Sequence, residues 1–126
     1  MVSRANVPSI REQKTTHGAK PLVMVTAYDA PGARMVDEAG VDMILVGDSL
    51  AMVVLGYEDT LQVTVDDIAH HTAAVARTKP SALVVADLPW LSYHISVAET
   101  VSNAAKLIRA GANAVKLEGG RNRIPM

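Results

Sequence analysis

Four short apolar runs, each ended by a polar turn and most followed by a longer amphipathic stretch, constrain what this chain can fold into. Residues 22–26 read LVMVT, residues 43–46 MILV, residues 82–86 ALVVA and residues 114–117 AVKL. A strand with one wet face alternates apolar and polar positions. These runs are apolar almost throughout, which is the pattern of a parallel sheet covered by helices. Parallel neighbours need crossover connections, and the intervening stretches supply them. Residues 30–39 predict a helix, with Asp29 as N-cap, Pro31 in its first turn and Gly40 as its stop. Residues 65–78 predict another, capped by Thr64 and carrying Asp66 and Asp67 in the first turn. Residues 96–110 predict a third, with Ser96 and Glu99 spaced as a capping box. Residues 9–14 give a weaker leading helix, and residues 56–64 read as loop. Four β-then-α units in series make an α/β fold.

The units are partly copies of one another. Glu38-Ala39-Gly40-Val41-Asp42 leads into MILVGD, and Arg109-Ala110-Gly111-Ala112-Asn113 leads into AVKLEG. Each copy is a helix end, a glycine suited to a left-handed cap, a polar turn, a strand and an acid. Such a repeat suits a barrel or a doubly wound sheet.

Bulk properties remove several function classes. The 126 residues fit a single domain, and the aromatic content is one Trp, three Tyr and no Phe. A net charge of −1 with no basic stripe argues against nucleic-acid binding. No apolar run approaches the roughly 20 residues that span a bilayer, so no membrane partner is expected. Residues 1–20 are polar, without a hydrophobic signal segment, and the expected location is cytoplasmic. The absence of cysteine excludes disulfides and thiolate chemistry.

Asp48, Asp87 and Glu118 each stand just past a predicted strand. In parallel α/β folds that end carries the active site, because the βα-loops converge there. Any one of these acids alone reads better as a turn or cap residue. Three in register predict a hard-oxygen site for a magnesium-like or manganese-like cation. Lys116 lies within the fourth strand on the side of Glu118, where a desolvated ammonium needs a partner or a task. Steadying the carboxylates, or holding an anionic substrate, would supply one. Ser49 follows Asp48 and offers a hydroxyl and an N–H to a ligand oxygen. It has no G-x-S-x-G surroundings of a nucleophile. His70 and His71 are adjacent on a helix and face different ways. His94 belongs to a loop, and Tyr28 and Asp29 end the first strand, with helix capping the expected role of Asp29. Gly119-Gly120 belongs to no phosphate loop.

At these residues the sequence resembles the ketopantoate hydroxymethyltransferases. The matching strings are TAYDAPGARMVDEAGVDMILVGDSLAMVVLGYEDT, VTVDDIAHH, VVADLPW and AVKLEGG, together spanning nearly the whole chain. The resemblance implies a (β/α)8 TIM-type barrel of which residues 1–126 are the truncated first half, a single incomplete domain holding about four parallel strands. It implies transfer of a hydroxymethyl group from 5,10-methylenetetrahydrofolate to 3-methyl-2-oxobutanoate, giving 2-dehydropantoate. It further implies Mg2+ at Asp48, Asp87 and Glu118, contact of Asp48, Asp87, Ser49 and Lys116 with the 2-oxo acid, and a homo-oligomer. The family's general base is a glutamate later in the barrel, beyond Met126, so no catalytic base is assigned to this chain. Gln62 stands where the family often has Pro, and Trp90-Leu91 where Phe-Gly is common. Two other readings stay open. One is a phosphoenolpyruvate mutase or isocitrate lyase type of magnesium barrel, and the other is an inactive half-barrel that acts only by association.

Overall fold

The computed structural model describes residues 5–126, so residues 1–4 of the polar N-terminal segment lie outside the described residues. A leading helix α1 (Val7–Thr15) precedes the sheet and is capped by Asn6. The remaining elements are β1 (Met24–Thr26), α2 (Ala30–Glu38), β2 (Met43–Val46), a short α3 (Leu50–Val53), α4 (Val65–Ala76), β3 (Leu83–Asp87), α5 (Val97–Arg109) and β4 (Ala114–Lys116). The turn Arg121–Arg123 follows. All four strands are parallel and lie in chain order, β1-β2-β3-β4. The fold is therefore the expected α/β one, a run of consecutive βα units of barrel type. No helix among the described residues is long and apolar enough to cross a membrane.

The two faces of the sheet do different work. Ile44, Val46, Val84 and Ala86 point toward the helices, where they pack with Ile68 and Val75 of α4 and Leu107 of α5. Each fully buried Ile or Leu there contributes about 1.5–3 kcal/mol. Leu83, Val85 and Asp87 alternate onto the opposite face. All five residues of β3 are buried, whereas in β2, which is also flanked by a strand on each side, only Ile44 and Val46 are.

The repeated segments have a structural task. Asp42 accepts a hydrogen bond from the Val23 N–H at 2.8 Å, and Asn113 accepts one from the Val84 N–H at 3.0 Å. In each copy the polar turn residue ties down the start of a strand, satisfying a backbone donor the ladder leaves open. Asp37 does the same for β3 from α2, accepting from the Ser81 and Ala82 N–H groups.

Several sequence expectations shift by a residue or two. The first strand starts at Met24, the third runs one residue further and ends on Asp87 itself, and α4 stops at Ala76. Helix α4 is closed by Lys79 at φ 55°, where α2 and α5 use Gly40 and Gly111. The Ser96 and Glu99 pair forms only half a capping box, since Ser96 accepts from the Glu99 N–H and no return bond is present. Full boxes occur at Asn6 and Ser9 and at Thr64 and Asp67, whose carboxylate accepts from the Thr64 N–H at 2.8 Å. Hydrogen bonds from the Thr64 hydroxyl and then from its N–H hold the Asp67 carboxyl below its usual range.

Candidate functional site

Asp87 is the last residue of β3, and parallel pairing sets it opposite Lys116 of β4. The two side chains share one face of the sheet, and Lys116 Nζ donates to Asp87 Oδ1 at 2.7 Å. The other oxygen, Oδ2, accepts from the Asp48 N–H at 3.3 Å. Asp87 is 3% exposed, so these partners replace the water its carboxylate has lost. Register between neighbouring strands thus converts three distant positions into one cluster. Glu118 Oε2 lies 3.5 Å from Lys116 Nζ, and its side chain is 75% exposed, which places it at the rim.

The electrostatics follow from that crowding. Burial raises the Asp48 carboxyl above its ordinary value, and repulsion from Asp87 and Glu118 adds to it. Lys116 and a hydrogen bond from Thr60 work the other way. Burial is the largest influence on Lys116 and pulls its pKa down. Hydrogen bonds and charge from Asp87 and Glu118 outweigh it and hold the ammonium up. Three carboxylates around one ammonium leave excess negative charge in a partly dehydrated place.

That donor set fits a hard divalent cation. Asp48 and Asp87 could supply oxygen ligands, and nothing soft competes. Among the described residues no three His, Asp or Glu side chains converge into a cage. Magnesium sites commonly use one or two carboxylates and complete their shell with water and substrate oxygens.

Ser49 is the N-cap of α3 but makes no capping bond with its side chain. Its Oγ lies 2.8 Å from the Tyr28 hydroxyl. The Tyr28 carbonyl in turn accepts from His71 Nδ1 at 2.7 Å, so His71 is a support for the loop after β1. Asp29 caps α2 by accepting from the Gly32 N–H, as expected. His94 Nδ1 accepts from the Leu91 N–H at 3.1 Å, and its ring lies 4.4 Å from that of Tyr93. The Tyr93 hydroxyl has a raised pKa, first from burial and then from the negative charge of Glu118 and Asp87. Thr60 and Tyr93 were not singled out by sequence. Both sit in loops whose only local signal is turn composition. Met126, the residue beyond which the resemblance places a general base, lies against α5. Its Sδ accepts from the Thr100 hydroxyl of α5 at 3.7 Å, and its N–H donates to the Arg123 carbonyl at 3.0 Å.

Leu91 adopts φ 70°, a conformation that costs a side-chain-bearing residue about 1 kcal/mol or more. Glycine at the same place carries no such cost. Leu91→Gly is therefore expected to keep or raise stability by about 1 kcal/mol, in contrast to the usual loss on introducing glycine. Urea unfolding would measure it, and a loss above about 1 kcal/mol would contradict the strain.

The ketopantoate hydroxymethyltransferase profile matches residues 4–126. The chain belongs to this family. The 3-methyl-2-oxobutanoate hydroxymethyltransferase of Ignicoccus hospitalis (strain KIN4/I) is 63% identical over 109 residues, covering 86% of this chain and 41% of that relative. The chain spans about two-fifths of the length of the curated relatives it matches. Among solved structures, phosphoenolpyruvate phosphomutase from Streptomyces platensis subsp. rosaceus superposes with a TM-score of 0.72 at 21% identity, covering 96% of this chain and 40% of that one. A phosphonopyruvate hydrolase complex with oxalate and Mg2+ gives a TM-score of 0.65 at 14% identity, covering 82% and 38%. These structures share the barrel-type fold with the family member described here.

Proposed function

We propose that this chain provides the cation and 2-oxo acid part of a hydroxymethyltransferase site. The reaction is transfer of a one-carbon unit from 5,10-methylenetetrahydrofolate to 3-methyl-2-oxobutanoate, giving 2-dehydropantoate. The observation that carries this reading is the cluster of Asp48, Asp87 and Lys116 at the strand ends of a chain in this family. Asp48 and Asp87 would hold Mg2+, with Glu118 oriented at the rim by Lys116. The oxalate and Mg2+ recorded with the phosphonopyruvate hydrolase support the pairing of a cation with a small oxo-acid-like ligand in this fold.

When bound, the cation supplies electrophilic polarisation of the 2-oxo group. The chain's own residues do the rest of the positioning. Lys116 offers an ammonium to the substrate carboxylate or to charge developing on its oxygen. Ser49 offers its hydroxyl and backbone N–H to a ligand oxygen. Partial burial of the cluster strengthens each of these attractions by excluding water. Asp48 and Asp87 are committed to the cation, so the proton on C3 of the substrate is not assigned to either.

Calorimetric titration of 3-methyl-2-oxobutanoate at saturating Mg2+ tests the reading. The expected result is saturable binding that requires Mg2+ and is lost in Asp48→Ala. Binding that is indifferent to Mg2+ and to this substitution would sink the proposed site.

A further inference from the structure

We infer that Tyr28 is a positioning residue of this site, fixing the Ser49 hydroxyl as a donor to an oxygen of the bound 2-oxo acid. The inference rests on the function proposed above and adds to it a residue from the first βα-loop.

A serine hydroxyl rotates, and at an N-cap it normally folds back on its own helix. Ser49 does not. It makes no capping bond, and the partner its Oγ has among the described residues is the Tyr28 hydroxyl at 2.8 Å. Gly47 leaves room for this arrangement, since a Cβ there would stand 3.2 Å from Ser49 Oγ.

Tyr28 is itself constrained at three places. Its ring packs against the apolar core, its carbonyl accepts from His71 of α4 at 2.7 Å, and its hydroxyl meets Ser49. Core packing would be served equally well by phenylalanine, so the hydroxyl is the part that the fold does not need. A phenol has one proton and a serine hydroxyl has one donor and two acceptor positions. With the phenol donating to Ser49 Oγ, the serine proton is released toward the site, and the two bonds polarise each other in the same direction. The same contact ties the loop after β1 to the turn that carries Asp48.

The test uses wild type, Tyr28→Phe, Ser49→Ala and the double variant, titrated calorimetrically with 3-methyl-2-oxobutanoate at saturating Mg2+. Tyr28→Phe is expected to weaken oxo-acid binding about fivefold, the worth of one neutral hydrogen bond. The double variant is expected to bind no more weakly than Ser49→Ala alone, because both changes remove one arrangement. Mg2+ affinity without the oxo acid is expected to stay within about twofold. Unchanged oxo-acid affinity in Tyr28→Phe, or losses that multiply in the double variant, would overturn the inference. A second readout separates this outcome from failure of the proposed function. Should wild type take up no oxo acid, that function fails, and the Ser49 χ1 populations measured by NMR still decide the positioning role. One dominant rotamer in wild type that becomes averaged in Tyr28→Phe supports it, and identical populations refute it.

Discussion

Replacing Asp87 by asparagine is expected to weaken Mg2+ binding at least about a hundredfold, whereas replacing Lys116 by methionine is expected to strengthen it. The first effect removes a charged oxygen ligand from a partly dehydrated site, where a single nearby charge is worth about 4 kcal/mol. The second follows from the same cluster with the opposite sign. Lys116 Nζ lies 2.7 Å from Asp87 Oδ1 and occupies the position of a counter-ion. Without it, the mutually repelling Asp87 and Asp48 carboxylates lose their nearby positive charge, and a divalent ion becomes the partner they lack. The metal-free Lys116→Met protein should also be less stable. A fully buried pair loses about 3–5 kcal/mol when one partner is removed. The Lys116 side chain is 37% exposed, so solvent screening reduces the expected loss to about 1–2 kcal/mol. Added Mg2+ should restore that stability, since it binds the folded chain alone. Oxo-acid binding should fall in both variants. Calorimetry with Mg2+ and urea unfolding with and without the ion measure all of this. Mg2+ affinities that fall together in the two variants would contradict the assignment of Lys116 as an internal counter-ion.

The sheet was legible in the sequence because its physics is local. Continuous apolar runs of strand length, separated by capped amphipathic stretches, leave few arrangements other than parallel strands under helices. The grouping of the candidate acids was legible for a related reason. In a parallel sheet all strands end on one side, so Asp48, Asp87 and Glu118 could be placed together before any contact was known. What the sequence did not disclose is which partners each acid takes. The sequence placed Lys116 beside Glu118, two residues on, but its shorter bond is to Asp87, 29 residues earlier, because strand register decides it. The pairing of Tyr28 with Ser49 spans 21 residues and two loops. No periodicity encodes such a contact. Helix α3 was missed because Leu50-Ala51-Met52-Val53 has neither a side-chain cap nor an amphipathic pattern long enough to read. The left-handed turn at Lys79 was missed because the usual signal there is glycine, and Pro80 marks only that the helix has ended.

The near repeat yields a sharper expectation than either copy alone. Gly40 and Gly111 occupy equivalent places after α2 and α5, and both have positive φ, 80° and 113°. Alanine at either position would meet the conformational cost of that region, about 1–2 kcal/mol. Their surroundings differ. A Cβ on Gly40 would have nothing within 4 Å, whereas one on Gly111 would stand 2.5 Å from the Cβ of Ala76, the last residue of α4. Two methyl groups cannot approach so closely, so α4 and α5 would have to separate. Overpacking of that kind costs about 1–3 kcal/mol in addition to the strain. Gly40→Ala is therefore expected to lose about 1 kcal/mol, and Gly111→Ala about 3 kcal/mol. Urea unfolding of both variants gives the comparison, and Ala76→Gly supplies the control. It costs up to about 1 kcal/mol by itself at a helix end, yet in the Gly111→Ala background it removes the collision and should give back about 1–2 kcal/mol of coupling. Equal losses for the two alanine variants, or a double variant that is merely additive, would show that the glycine after α5 serves the turn alone and not the close approach of the two helices.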